Sequence, residues 1–151
     1  MNSYNAEDLT RKFKQNISSM VIYGCGIEGK LVLHALQLHD IKVSYFIDTG
    51  KEFQGKYHLG IKTVSPEELA KLLPDAHIFI AHKYVKMAIE LLNKLKFKNI
   101  YNNVELLKSI DISKKIHSDE LNLYIEPEKL ERTIKQFNFN NIRELKKIET
   151  R

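Results

Sequence analysis

The sequence has one cysteine, three prolines, no tryptophan and no long apolar run. The lone Cys25 cannot form an internal disulfide, which suits the reducing cytoplasm. The longest apolar runs are the length of a strand, so we expect no membrane-spanning segment. The opening residues MNSYNAEDLTRKFKQNISSM lack the apolar stretch of a secretory signal, so we expect no such signal. Together these absences predict a cytoplasmic globular protein.

The chain is basic, but its charges are mixed along the sequence. It has 151 residues, a net charge of +5 and 43% hydrophobic residues, with an isoelectric point near 9.2. Lys and Glu are interleaved, with no block of five like charges, so we do not expect a nucleic-acid partner. The length and apolar content are sufficient for one domain with a substantial core.

Strand and helix patterns alternate through residue 101. Strand patterns occupy 19–23, 42–47, 61–64, 76–81 and 99–101, and helical patterns occupy 27–39, 84–95 and the stretch that Ser65 opens as an N-cap. This alternation predicts an α/β fold, a doubly wound parallel sheet of about five strands with helices on both faces.

Helical patterns also flank the alternating region. One covers 5–16, and others cover 103–110, 127–137 and 141–149. We therefore expect a domain over 1–111 that includes the leading helix, followed by a helical C-terminal extension over 112–151.

Three glycines follow the first strand in the pattern G-x-G-x-x-G, at Gly24, Gly26 and Gly29. In dinucleotide-binding folds the first permits a tight turn, the second lets a phosphate approach the backbone, and the third lets the helix pack closely. Asp48 ends the second strand, 19 residues after Gly29, close to the spacing of an acid that binds a ribose hydroxyl. This combination predicts a nucleotide site, although a turn kept only for packing would have the same sequence.

Several neighbouring residues complete the predicted site. They are Cys25, Ile27 and Glu28 within the glycine motif, Thr49 after Asp48, and His82 after the fourth strand. Cys25 is either a small residue that fits the turn or a thiol made reactive by the helix N-terminus, which lowers a thiol pKa. The carboxylate of Glu28 would repel a phosphate unless it turns toward solvent or a ligand hydroxyl.

Other kinds of site find less support in the sequence. A P-loop would need Ser or Thr where Leu31 stands. The histidines show no metal-ligand spacing, so we expect no metal. His82 and Tyr84 lack an evident orienting carboxylate, so the catalytic residues, and whether the chain is an enzyme, stay unknown.

The stretches VIYGCGIEGK, YFIDTG, FQGKYHLGIKTVSPEEL, HIFIA and KNIYN together resemble a known domain. It is the small Rossmann-like nucleotide-binding domain of bacterial surface-polysaccharide enzymes, found ahead of nucleotide-sugar 4,6-dehydratases and sugar acyltransferases. The resemblance covers about residues 19–102. It implies that Gly24, Gly26, Gly29 and Asp48 bind NAD or a nucleotide-sugar. Thr49 stands where the family often has a second acid or Asn.

The catalytic parts of those enzymes have no counterpart in this sequence. A dehydratase would need a Tyr-x-x-x-Lys pair, and an acyltransferase would need hexapeptide repeats; the sequence has neither. The first hypothesis is therefore a nucleotide-binding module in polysaccharide or nucleotide-sugar metabolism. The alternatives are a small NAD-dependent oxidoreductase or dehydratase subunit completed by a partner chain or a second copy, and an interaction domain that has lost its ligand.

Overall fold

The computed structural model describes residues 20–82 and 84–101, together with the single residues Arg11 and Lys135. Within the two ranges the chain forms six strands and three helices. In chain order they are β1 (Met20–Tyr23), α1 (Ile27–Leu38), β2 (Tyr45–Ile47), β3 (Tyr57–His58), β4 (Ile61–Val64), α2 (Pro66–Leu72), β5 (His77–Ile80), α3 (Val85–Lys94) and β6 (Asn99–Tyr101).

The flanking helices predicted at 5–16, 103–110, 127–137 and 141–149 lie outside the described residues, apart from Arg11 and Lys135. The division into a domain over 1–111 and an extension over 112–151 therefore stays a prediction.

The six strands form one sheet in the order β3-β4-β2-β1-β5-β6. All neighbouring pairs are parallel except β3 and β4, which form an antiparallel hairpin. From the central β1 the chain proceeds to β2 and β4 on one side and to β5 and β6 on the other. At such a change of direction, the carboxyl ends of the strands border a crevice.

The alternating α/β pattern read from the sequence is confirmed, but the expected count of about five strands is corrected to six. The additional strand is β3, which has two residues and lies between the strand patterns at 42–47 and 61–64. It forms because Leu59 and Gly60 both take a positive φ, 50° and 79°, as the tight turn of a two-residue hairpin requires.

The second strand is shorter than predicted. The sequence pattern suggested 42–47, whereas β2 is Tyr45–Ile47. Ile41 and Val43 are nevertheless buried, because apolar packing begins before the strand ladder does. The pattern of burial is therefore longer than the pattern of strand hydrogen bonds.

Side chains of β1 alternate between two apolar clusters. Met20 and Ile22 join a cluster with residues of α1, and Val21 and Tyr23 join a second one with residues of α2 and α3. Because successive strand residues point to opposite faces, both faces of the central strand are covered. This explains why β1 is apolar throughout.

The two helices that follow β1 and β4 begin differently. α2 begins as predicted, since the Ser65 hydroxyl accepts a hydrogen bond from the Glu68 N–H at 3.0 Å and Pro66 takes the first helical position. α1 begins after Gly26, which has no side chain to cap it. The N-terminus of α1 is therefore the one of these two that lacks a side-chain acceptor at its N-cap.

Candidate functional site at the glycine turn

Gly24 directly follows β1 and has a conformation that requires glycine. Its φ is +110°, and a Cβ there would lie 2.8 Å from the Ala81 carbonyl oxygen. Its N–H donates to the Ile47 carbonyl at 2.8 Å. The turn is thus fixed between the ends of β2 and β5, where the strand order changes direction.

Gly29 is needed for close packing. A Cβ at this position would lie 1.9 Å from the Gly24 carbonyl oxygen, so the first turn of α1 could not approach the glycine turn with any side chain there. This contact is the role that the third glycine of the motif is predicted to have.

Gly26 differs from the other two glycines. Its φ is −77°, the residue is exposed, and a Cβ there would meet only the Glu28 Oε2, at 3.6 Å. Neither backbone conformation nor packing within the described residues therefore requires glycine at this position. Among the described residues, nothing else fills the space over Gly26 at the uncapped start of α1, where backbone N–H groups can bind an anion.

The Glu28 carboxylate lies near this open space rather than away from it, since its Oε2 is the atom closest to a Cβ built on Gly26. A carboxylate at that point repels a phosphate, and it can move because it is the end of a flexible side chain. Ile27, beside it, packs partly buried against the α1 cluster and so anchors the first turn of the helix.

Asp48 connects the end of β2 to the glycine turn. Its Oδ2 lies 3.4 Å from both the N–H and the Sγ of Cys25, and its Oδ1 accepts from the Gly50 N–H at 2.8 Å. The Asp48 carbonyl accepts from the Gln54 side chain at 3.0 Å. The predicted ribose-binding acid therefore has contacts within the protein on both carboxylate oxygens.

The idea that the helix N-terminus activates Cys25 is wrong in direction. Burial, followed by the negative charge of Asp48 and its hydrogen bond, raises the pKa of the Cys25 thiol to about 12, against smaller opposing effects that include the Thr63 side chain. The side chain is only 2% exposed. Cys25 is thus a neutral, buried thiol that fits the turn, which was the other interpretation of the sequence.

His82 lies next to the glycine turn on the β5 side. Its backbone nitrogen is 3.7 Å from a Cβ built on Gly24. Its ring meets the Tyr23 ring edge-on, with centroids 5.5 Å apart and an interplanar angle of 87°. The Tyr84 N–H donates to His82 Nδ1 at 3.0 Å.

Tyr23 is a member of this site that the motif analysis did not single out. Burial, followed by the charges of Asp48 and Glu67, raises its pKa to about 12, while a hydrogen bond with the Thr49 side chain opposes this shift. The available signal was a phenol as the last residue of an otherwise apolar strand, directly before the glycine turn. The structure thereby places Thr49 and His82 around one tyrosine.

A second group of polar residues lies along the hairpin. The His58 ring is edge-on to Phe46 and Phe53, with centroids 6.4 and 5.9 Å apart. Burial lowers the His58 pKa, as does the charge of Lys30. Tyr57, which precedes it, is 68% exposed, so the two residues of β3 have different surroundings.

The part of the chain that the structure describes shows neither a metal site nor a membrane-spanning helix. No cluster of three or more His, Cys, Asp or Glu side chains there could hold a metal ion. No helix there is both long and apolar enough to cross a bilayer.

The sheet order, the glycine turn at the change of direction and the acid after β2 are consistent with a Rossmann-like α/β fold. The chain belongs to the family described as C2185-like, N-terminal, which matches residues 16–100. This match spans the glycine turn, Asp48 and His82.

Among solved structures, the chain is similar to the UDP-D-quinovosamine 4-dehydrogenase from Vibrio fischeri. The sequences are 23% identical, the alignment covers 68% of this chain and 95% of that one, and the TM-score is 0.44. The search of curated proteins gave no match.

Proposed function

We propose that this chain is a nucleotide-binding module, with NAD or a nucleotide-sugar as its ligand, that serves surface-polysaccharide or nucleotide-sugar metabolism. The observation that carries the proposal is the contrast within the glycine motif. The fold requires Gly24 and Gly29, whereas Gly26 is exposed and, among the residues that the structure describes, free of steric or conformational demand. A ligand phosphate over Gly26 would supply the missing reason for a glycine there.

In the proposed complex, a phosphate lies over Gly26 against the free N–H groups of the first turn of α1. The change of strand direction beside β1 supports a doubly wound arrangement with the ligand across the crevice. Asp48 lies at the end of the adjacent strand. A carboxylate has about four lone-pair sites, so Asp48 can accept from a ribose hydroxyl while it keeps Cys25 and Gly50.

A second candidate is the interaction domain without a ligand, which two observations favour. Both Asp48 oxygens already contact protein groups, and the Glu28 carboxylate lies next to the open space over Gly26. In that reading the motif is retained only because Asp48 and the glycines hold the turn together.

The deciding experiment is a thermal-shift and calorimetry panel of NAD, NADP, UDP-glucose, CoA and AMP on the purified chain. We expect NAD or UDP-glucose to bind, and NAD to bind more tightly than NADP because the Asp48 charge repels a 2′-phosphate. We expect Gly26→Val to abolish binding, because its side chain fills the phosphate position, while the chain still melts cooperatively.

The control is Gln37→Val, which places the same valine side chain at an exposed position of α1 far along the helix from the glycine turn. It should bind as the wild type does. Wild-type affinity in Gly26→Val, or no binding by any nucleotide of the panel, would favour the interaction domain.

A further inference from the structure

Two contacts fix the ring of His82. The Tyr84 backbone N–H donates to its Nδ1 at 3.0 Å, and the ring lies edge-on to Tyr23. A backbone N–H is always a donor, so Nδ1 is the acceptor of this bond. The neutral imidazole therefore carries its proton on Nε2, and the fold itself selects this tautomer.

The charges that act on Tyr23, the ring partner of His82, are negative. Tyr23, on which the His82 ring packs, is acted on by the carboxylates of Asp48 and Glu67. A phosphate placed there would add repulsion to that of the two acids. A neutral oxygen would not, and it could accept from an N–H donor. The carboxylates that act on Tyr23 therefore favour the uncharged part of a nucleotide over its phosphates at the neighbouring His82 ring.

From this arrangement we infer that His82 donates a hydrogen bond from Nε2 to a hydroxyl oxygen in the sugar part of the ligand. With Nδ1 accepting from Tyr84 and Nε2 already protonated, the neutral ring has no nitrogen left to take a proton from that hydroxyl. His82 is then a ligand-positioning donor and not a base. This inference rests on the proposed function, since it needs a nucleotide on the adjacent glycine turn.

Two amide variants separate the two ring nitrogens. In His82→Asn the amide can replace Nδ1 as the acceptor for Tyr84 but offers no donor at the Nε2 position. In His82→Gln the longer amide can place an N–H group near Nε2. We expect calorimetry with NAD and UDP-glucose to show about fivefold weaker binding for His82→Asn, the value of one hydrogen bond. We expect His82→Gln to bind within about twofold of wild type.

Inorganic phosphate serves as the probe for the alternative contact. Its affinity should be the same in wild type and His82→Asn, because it occupies the glycine turn alone. An equal loss for phosphate and for the nucleotide would show that His82 binds a phosphate instead, and would overturn the assignment to a sugar hydroxyl. Unchanged nucleotide affinity in His82→Asn would overturn the contact itself.

The tautomer is measured without any ligand. Long-range nitrogen–proton NMR spectra of the free protein at pH 8 should show His82 protonated at Nε2, and protonation at Nδ1 would contradict the inference. If no nucleotide binds to wild type, the proposed function and the inferred contact fail together. If a nucleotide binds and requires Gly26 but not His82, only the inference fails.

Discussion

The Asp48 carboxylate receives both the backbone N–H and the thiol of Cys25, each at 3.4 Å. These residues are 23 positions apart, one in the glycine turn and the other at the end of β2. This side-chain contact holds the glycine turn against the end of β2. A backbone hydrogen bond, from the Gly24 N–H to the Ile47 carbonyl, holds the turn to the same strand. The Asp48 contact also keeps a charge beside a thiol that burial already holds neutral.

We expect Cys25 to resist alkylation in the folded chain. Its pKa of about 12 leaves on the order of one thiolate in ten thousand at pH 8, and the thiolate is the reactive form. Because Cys25 is the one cysteine of the sequence, mass spectrometry after iodoacetamide treatment reports on it alone.

The same measurement in denaturant is the control, and there alkylation should be fast. Asp48→Asn removes the negative charge beside the thiol and should speed alkylation of the folded chain, while Asp48→Ala tests the loss of the contact as a whole. Equal rates in the folded and denatured wild type would contradict the buried, neutral thiol.

Glycines of the same motif should differ in what they contribute to stability. Gly29→Ala places a Cβ 1.9 Å from the Gly24 carbonyl oxygen, and relief requires α1 to move from the turn. We expect a loss of about 3 kcal/mol or more in the free energy of unfolding, the upper range for overpacked sites. Urea denaturation measures it.

Gly26→Ala is the matched control, with the same added methyl group in open space. It should cost less than about 1 kcal/mol, the effect of Ala in place of Gly at an N-cap. Similar losses in the two variants would show that Gly26 also has a packing role, and would remove the main support for the phosphate site.

Much of this arrangement was predictable because its causes are local. The alternation of apolar strands and amphipathic helices predicted the parallel α/β order, and Ser65 and Pro66 predicted the start of α2. The strand–turn–helix context also predicted that the glycine turn and the residue after the fourth strand, His82, would be neighbours.

The unpredicted features depend on contacts between distant residues. One of the two interpretations of Cys25 had the helix N-terminus lower the thiol pKa, but burial and Asp48 dominate. Strand β3 depends on a left-handed Leu59, a conformation that its residue type disfavours. In the sequence, Tyr23 has the pattern of an ordinary core residue. Only the fold places Asp48, after β2, and Glu67, in α2, where their charges act on it.

Acid should destabilise the chain in part through His34. This residue of α1 is 8% exposed, and burial lowers its pKa from 6.5. Below pH 6.5 the unfolded chain binds a proton that the folded chain does not, so stability is lost as the pH falls. We expect the urea midpoint to drop between pH 7.5 and pH 5.

His34→Leu should reduce that drop, because the unfolded chain then has no proton to bind at this position. The drop should not vanish, since burial and Lys30 also lower the pKa of His58. For each protein we compare the urea midpoint at pH 5 with its own midpoint at pH 7.5. Any difference in stability between the two proteins at pH 7.5 then cancels. An identical pH dependence in the variant would contradict the role of His34.

The purified chain should bind its nucleotide without converting it. Catalysis needs an acid, base or nucleophile within hydrogen-bond reach of the reacting atom. At the glycine turn, Cys25 is a buried neutral thiol and Asp48 contacts the turn. His82 accepts from Tyr84 at Nδ1 and so offers a donor rather than a base.

We therefore expect no hydride transfer, dehydration or acyl transfer when the chain is incubated with UDP-glucose and either NAD or acetyl-CoA. Absorbance at 340 nm follows hydride transfer, and mass spectrometry follows the sugar products. Turnover that disappears in His82→Ala but persists in Gln37→Val would make the chain an enzyme in its own right. Turnover that appears only after a partner protein is added would instead show that the chain is a subunit completed by a second chain. The glycine turn and Asp48 would then be this chain's contribution to the shared site.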